Sequence, residues 1–118
     1  MTTARQPGRG SGVRGPARHE LPAIDDAGLA AARYAERALA AARDAGVERW
    51  ARFLEPLPDR LRDDGLPALR SAALRARAAF GPNDSIRDAL PADLTEPLLD
   101  SIDRLLKQIA RHQNRGGD

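Results

Sequence analysis

A chain of 118 residues with 31% charged side chains, four aromatic residues and no cysteine has room for one domain. It excludes disulfides, thiolate nucleophiles and thiolate metal centres. Its formal net charge is +2, but residues 1–19 hold four arginines and no acid, whereas residues 20–110 hold 13 basic and 16 acidic side chains, about −3 for the body. A polyanion therefore finds no overall attraction on the body. No segment reaches the roughly 18 consecutive apolar residues of a membrane span, and residues 1–19 lack the apolar run of a secretory signal. The expected location is cytoplasmic, with no membrane partner.

Residues 1–19, with four glycines, two prolines and Arg5, Arg9, Arg14 and Arg18, read as a disordered arm. Within it Gly10-Ser11-Gly12-Val13-Arg14-Gly15 spells G-x-G-x-x-G, but no strand precedes it to form a dinucleotide site, so a Gly-rich tail is the reading. Asp25 and Asp26 are N-cap candidates for a first helix to about Asp44, stopped by Gly46. Its inner face is small: Gly28, Ala31, Ala32, Ala35, Ala38, Leu39 and Ala42. A second helix opens near Val47 with Trp50, Phe53, Leu54 and Leu57 on one side, and Pro56 and Pro58 break or kink it before a short helical turn to about Asp64.

Gly65 separates this from a third helix, in which Pro67 suits the first turn and Leu66, Leu69, Ala73, Ala76 and Phe80 share a face. Gly81-Pro82 ends it. Ser85 with Asp88 gives a capping-box signal for a short turn through Leu90. The last helix carries Leu98, Leu99, Ile102, Leu105, Leu106 and Ile109 in one stripe; Pro91 offers one start for it, but Thr95 as N-cap with Glu96 and Pro97 in the first turn is the better reading, because it avoids losing an internal hydrogen bond. Asp100 with Arg104, and Asp103 with Lys107, stand at i, i+4. With two valines and four isoleucines no sheet is expected. The fold class is then all-α: a small bundle of three long helices plus short helical turns over residues 20–112, with disordered tails at 1–19 and 113–118. Trp50, Leu54, Phe80, Leu98, Ile102, Leu105 and Ile109 are its expected core.

The chemistry-bearing residues are scattered. His19 and His112 lie at the two ends of the body with no partner at ligand spacing, so neither metal nor cofactor is expected. Nothing adjacent in sequence activates Ser71, Ser85 or Ser101, and Asp25-Asp26 and Asp63-Asp64 sit at helix ends, so no enzyme is expected. Arg70 and Arg77 project between Leu66 and Leu74 on the helical wheel and are candidates for an anion or a partner carboxylate, with pairing to an acid on a neighbouring helix as the structural reading. Arg75 points well away from both, which disfavours one DNA-facing stripe.

Arg5, Arg9, Arg14 and Arg18 are candidate phosphate contacts, matched at the other end by Arg115 before Gly116-Gly117, although no aromatic is interleaved for base stacking. High Ala, Arg, Gly and Pro usage also fits a G+C-rich bacterial genome. The functional expectation is a non-enzymatic helical interaction or regulatory accessory protein acting through apolar helix faces, with a protein partner or a second copy. One alternative is a nucleic-acid-associated protein using its Arg/Gly tails. Another is a small-ligand or enzyme domain whose site the linear sequence hides.

Overall fold

The structure, a computed structural model, describes residues 17–82 and 85–116. The chain is all-helical over these residues, without a strand. A 3-10 turn at Arg18–Glu20 leads into α1 (Pro22–Asp44), followed by α2 (Glu48–Leu54), α3 (Leu57–Asp63), α4 (Leu66–Ala78), α5 (Ile86–Ala89) and α6 (Ala92–Gly116). Three long helices, α1, α4 and α6, thus form the frame. α1 packs against α6, α3 and α2, and α4 packs between α3 and α6.

Alanine sets the geometry around α1. Ala31, Ala35, Ala38 and Ala42 are completely buried, and a face this flat lets neighbouring helices come close. At Gly28 the approach is closest: a Cβ there would stand 2.8 Å from the Leu61 carbonyl oxygen of α3 and 2.6 Å from an Arg18 guanidinium nitrogen. The helix starts one turn before the expected Asp25 or Asp26 cap, because Pro22 occupies its first position, where a missing N–H costs nothing. Asp25 instead accepts from Arg18 Nε at 3.0 Å. At the other end Gly46, with φ +72°, closes a Schellman motif in which Val47 N–H donates to the Ala42 carbonyl at 2.9 Å and Gly46 N–H to that of Arg43 at 3.1 Å.

Between α2 and α3 the chain kinks at Glu55 and Pro56 without leaving helical dihedrals. Pro56 and Pro58 lack the N–H groups that would continue the ladder, and the side chains keep their four-residue register across the break. Ser85 caps α5 as its sequence implies: Arg87 N–H donates to Ser85 Oγ at 2.9 Å, and Ser85 N–H donates to the Asp88 carboxylate at 3.2 Å.

The start of α6 corrects the sequence reading. The helix begins at Ala92, with Thr95 inside it and Pro97 in its second turn. The Pro91 carbonyl accepts from Leu94 N–H at 3.0 Å and from Thr95 N–H at 3.1 Å, and the Thr95 hydroxyl donates to the same oxygen at 3.3 Å. Thr95 is fully buried, so the extra turn satisfies and encloses a side chain that a shorter helix would leave at its end. Pro97 deprives only the carbonyl of Asp93, an exposed residue beside water.

The tail boundaries shift as well. Residues 113–116 continue α6, because no helix breaker intervenes before Gly116-Gly117 and basic side chains suit a helix C-terminus. Residues 17–19 belong to the folded body, and the arm proper, with its glycine motif at 10–15, lies outside the described residues. Trp50, Leu54, Phe80, Leu98, Ile102, Leu105 and Ile109 all lie in one buried cluster with Leu61, Leu69 and Ile86.

Candidate functional site

Burial of the apolar stripes comes first, because the expected partner surface was made of them. Leu98, Ile102, Leu105 and Ile109 of α6 are at most 1% exposed, all covered within the chain. Among the described residues the exposed large apolar side chain is Leu74, 43% accessible on the outer side of α4. The apolar helix faces are thus internal, and one exposed leucine is ordinary for a protein surface.

The predicted anion contacts separate. Arg77 donates to Asp103 of α6 at 2.8 Å, tying α4 to the last helix, so its structural reading holds. Asp103 is thereby drawn across the interface, and among the described residues neither the Asp103–Lys107 nor the Asp100–Arg104 pair forms. Arg70 is exposed and makes no ion pair within the described fold. Arg18, expected among the tail phosphate contacts, is only 11% exposed in its side chain, pairs with Asp25 and donates to the Asp64 carbonyl at 2.8 Å. That corrects its assignment: a guanidinium held by α1 and by the end of α3 is not a free phosphate ligand. Arg5, Arg9 and Arg14 lie outside the described residues.

The hydroxyls and histidines are equally accounted for. Ser85 is a cap, Ser101 Oγ donates back to the Leu98 carbonyl at 2.8 Å, and Ser71 is exposed on α4. His19 sits exposed beside Glu20 at 3.8 Å, and His112 is half-buried near the end of α6. Among the described residues no three histidine or carboxylate groups converge as metal ligands. No described helix is long and apolar enough to cross a membrane.

Three surface hollows differ in their charge. At the α1–α2 corner a hollow of about 380 Å³ is lined by Arg43, Glu48, Arg52 and Glu55, whose charges pair as Arg43–Glu55 at 3.6 Å and Arg52–Glu48 at 3.4 Å. A groove of similar volume between α1 and α6 carries both signs, with Arg33, Arg104 and Asp100 beside Tyr34.

The third is a cleft of about 160 Å³ where α4 crosses the α2–α3 kink. Its charged edge is Arg52 of α2, Arg60 of α3 and Arg75 of α4, and among the described residues no acid lines it. Its floor is Phe53, Pro56, Leu57, Ala72 and Ala76. The local sequence builds it directly. Residues 52, 56 and 60 are four apart along one face, and 53 and 57 along the next, so the proline kink bends a continuous stripe toward α4. Arg60 and Arg75 have no ion-pair partner in the described fold, and Arg52 has only its exposed contact with Glu48. Phe53 is fixed edge-on to the buried Trp50, ring centroids 5.5 Å apart at 82°.

One feature of the sequence points to this cleft. Arg75 stands apart from Arg70 and Arg77 on α4 because it faces the α2–α3 side.

The perturbed titrating pair lies elsewhere, at the α5–α6 junction. Arg87 grips Glu96 through two bonds of 2.8 and 2.9 Å while its guanidinium carbon lies 5.7 Å from the Phe80 ring centroid. The hydrogen bonds from Arg87 hold the Glu96 carboxyl below its ordinary range, and the same contact raises Arg87. The pair is structural, joining two helix ends. No protein-family model, curated protein or solved structure matches the chain.

Proposed function

We propose that the chain is a non-enzymatic accessory protein of the cytoplasm that binds a protein partner through the cleft between the α2–α3 kink and α4. The observation that supports this is a set of three arginines from three helices, two of them without a carboxylate, held over an apolar floor. The other two hollows described carry both signs of charge, and beside them such a set suits recognition. Arginine and buried apolar anchors are the residues on which interface energy concentrates. On this reading the docking surface is the cleft and not the apolar stripes.

Site-specific photo-crosslinking tests the reading. A benzophenone amino acid at Phe53, introduced in cells of the native host, should give one dominant protein adduct that disappears when Arg60→Glu and Arg75→Glu are added. Absence of an adduct, or an adduct indifferent to the two charge reversals, would reject the cleft as the docking surface.

A further inference from the structure

The chemistry of the cleft restricts its occupant. Arg52, Arg60 and Arg75 repel one another across a space that no described acid lines, so a ligand that brings negative charge gains attraction and relieves like-charge proximity together. Guanidinium forks match carboxylates in bidentate geometry, and Arg52 can exchange its exposed 3.4 Å contact with Glu48 for a partner's carboxylate.

The floor adds a second requirement. It is apolar, offers no side-chain donor or acceptor, and at about 160 Å³ is smaller than the roughly 300–1,000 Å³ that encloses a cofactor or drug-sized ligand. One Leu- or Phe-sized side chain fits such a volume. A nucleic acid would set polar bases and sugars on that floor, and its extended backbone would meet a body of about −3 charge.

Resting on the binding-module reading, we infer that the cleft binds an acidic segment of a partner protein in which carboxylates flank one large apolar side chain. The apolar side chain enters between Phe53 and Ala76, and the flanking carboxylates pair with Arg60 and Arg75.

Fluorescence anisotropy on the full chain decides it. The probe is a labelled short peptide of Asp and Glu residues around a single central Phe, compared with its Phe→Ala form, its Asn/Gln form and a single-stranded oligonucleotide of equal length. The acidic Phe peptide should bind best. Removing either the ring or the charges should weaken it about tenfold or more, the scale of one anchor or one desolvated charge pair. Arg60→Glu with Arg75→Glu should abolish binding while the helical circular-dichroism signal is retained. Arg33→Glu with Arg104→Glu, in the groove between α1 and α6, should leave it intact.

Equal binding of the Phe→Ala peptide, persistence in the Arg60/Arg75 variant, or tighter cleft-dependent binding of the oligonucleotide would each overturn the inference. A change of sedimentation state in that variant would also overturn it, making a second copy the occupant. Failure of the acidic peptides beside a cleft-dependent crosslink from Phe53 rejects the partner class alone. Loss of both rejects the binding-module reading itself.

Discussion

The two sides of α6 are held by different physics. Against α1 it lies on a helix whose inner face is almost all alanine, and dispersion and burial do the holding. Toward α4 and α5 its contacts include two exposed ion pairs, Arg77–Asp103 and Arg87–Glu96, with side chains between 44% and 48% accessible. Beneath the charged groove at its rim the first seam is dry, whereas the second adds a wet, electrostatic edge to its own buried contacts. The contrast separates what makes the fold stable from what fixes the orientation of its smaller parts, because enclosed methyl groups carry most of the free energy and surface pairs carry little.

The dry side is where damage should be greatest. Leu105 is completely buried, and Leu105→Ala should lower stability by about 2–5 kcal/mol, because truncating an enclosed side chain leaves a cavity that its neighbours fill only in part. Chemical denaturation reads this directly. A loss below about 1 kcal/mol would mean that the seam is plastic.

The opposite substitution sharpens the same point. Ala35 is also completely enclosed, and Ala35→Leu forces extra volume into a close helix contact. The expected cost is about 1–3 kcal/mol, with a lower thermal midpoint and an unchanged denaturant slope. Stabilisation by the added methyl groups would show that the alanine face leaves room.

How far the fold was legible follows from the range of each interaction. The Schellman stop at Gly46, the cap at Ser85, the alanine face and the Leu/Ile stripe are all decided within a few residues, and each is written locally. The start of α6 was not, since Thr95 is a good local cap and becomes an interior residue only because the fold buries it. Arg18 shows the same limit: its neighbours are Gly- and Pro-rich, yet its partners Asp25 and Asp64 lie 7 and 46 positions away. The cleft is the extreme case. Its residues come from three helices, and no spacing along the chain joins Arg52 or Arg60 to Arg75.

On the wet side the effects should be small and conditional. Arg77→Gln removes an ion pair whose side chains are nearly half accessible, so about 0.2–1 kcal/mol is expected at low ionic strength. The difference should vanish in high salt, where the Debye length is only about 3 Å at 1 M. Leu105→Ala should show no such rescue, and equal salt dependence of the two variants would erase the distinction between the sides.

The smallest effect belongs to Glu96, and its sign can be worked out. The hydrogen bonds from Arg87 lower the Glu96 carboxyl in the folded state, so near neutral pH, where folded and unfolded forms are both ionised, the pair contributes fully. As pH falls past the unfolded value of about 4.3, the unfolded chain takes up the proton first. Stability then declines until the folded carboxyl is protonated too, and the contribution is gone. Glu96→Gln has no proton to take up and keeps one acceptor for Arg87. Urea midpoints measured from neutral to acid pH should therefore show the variant slightly weaker at neutrality and the two curves converging in acid. Parallel curves would mean that Arg87 holds the α5–α6 junction through its packing on Phe80, with the carboxylate adding nothing.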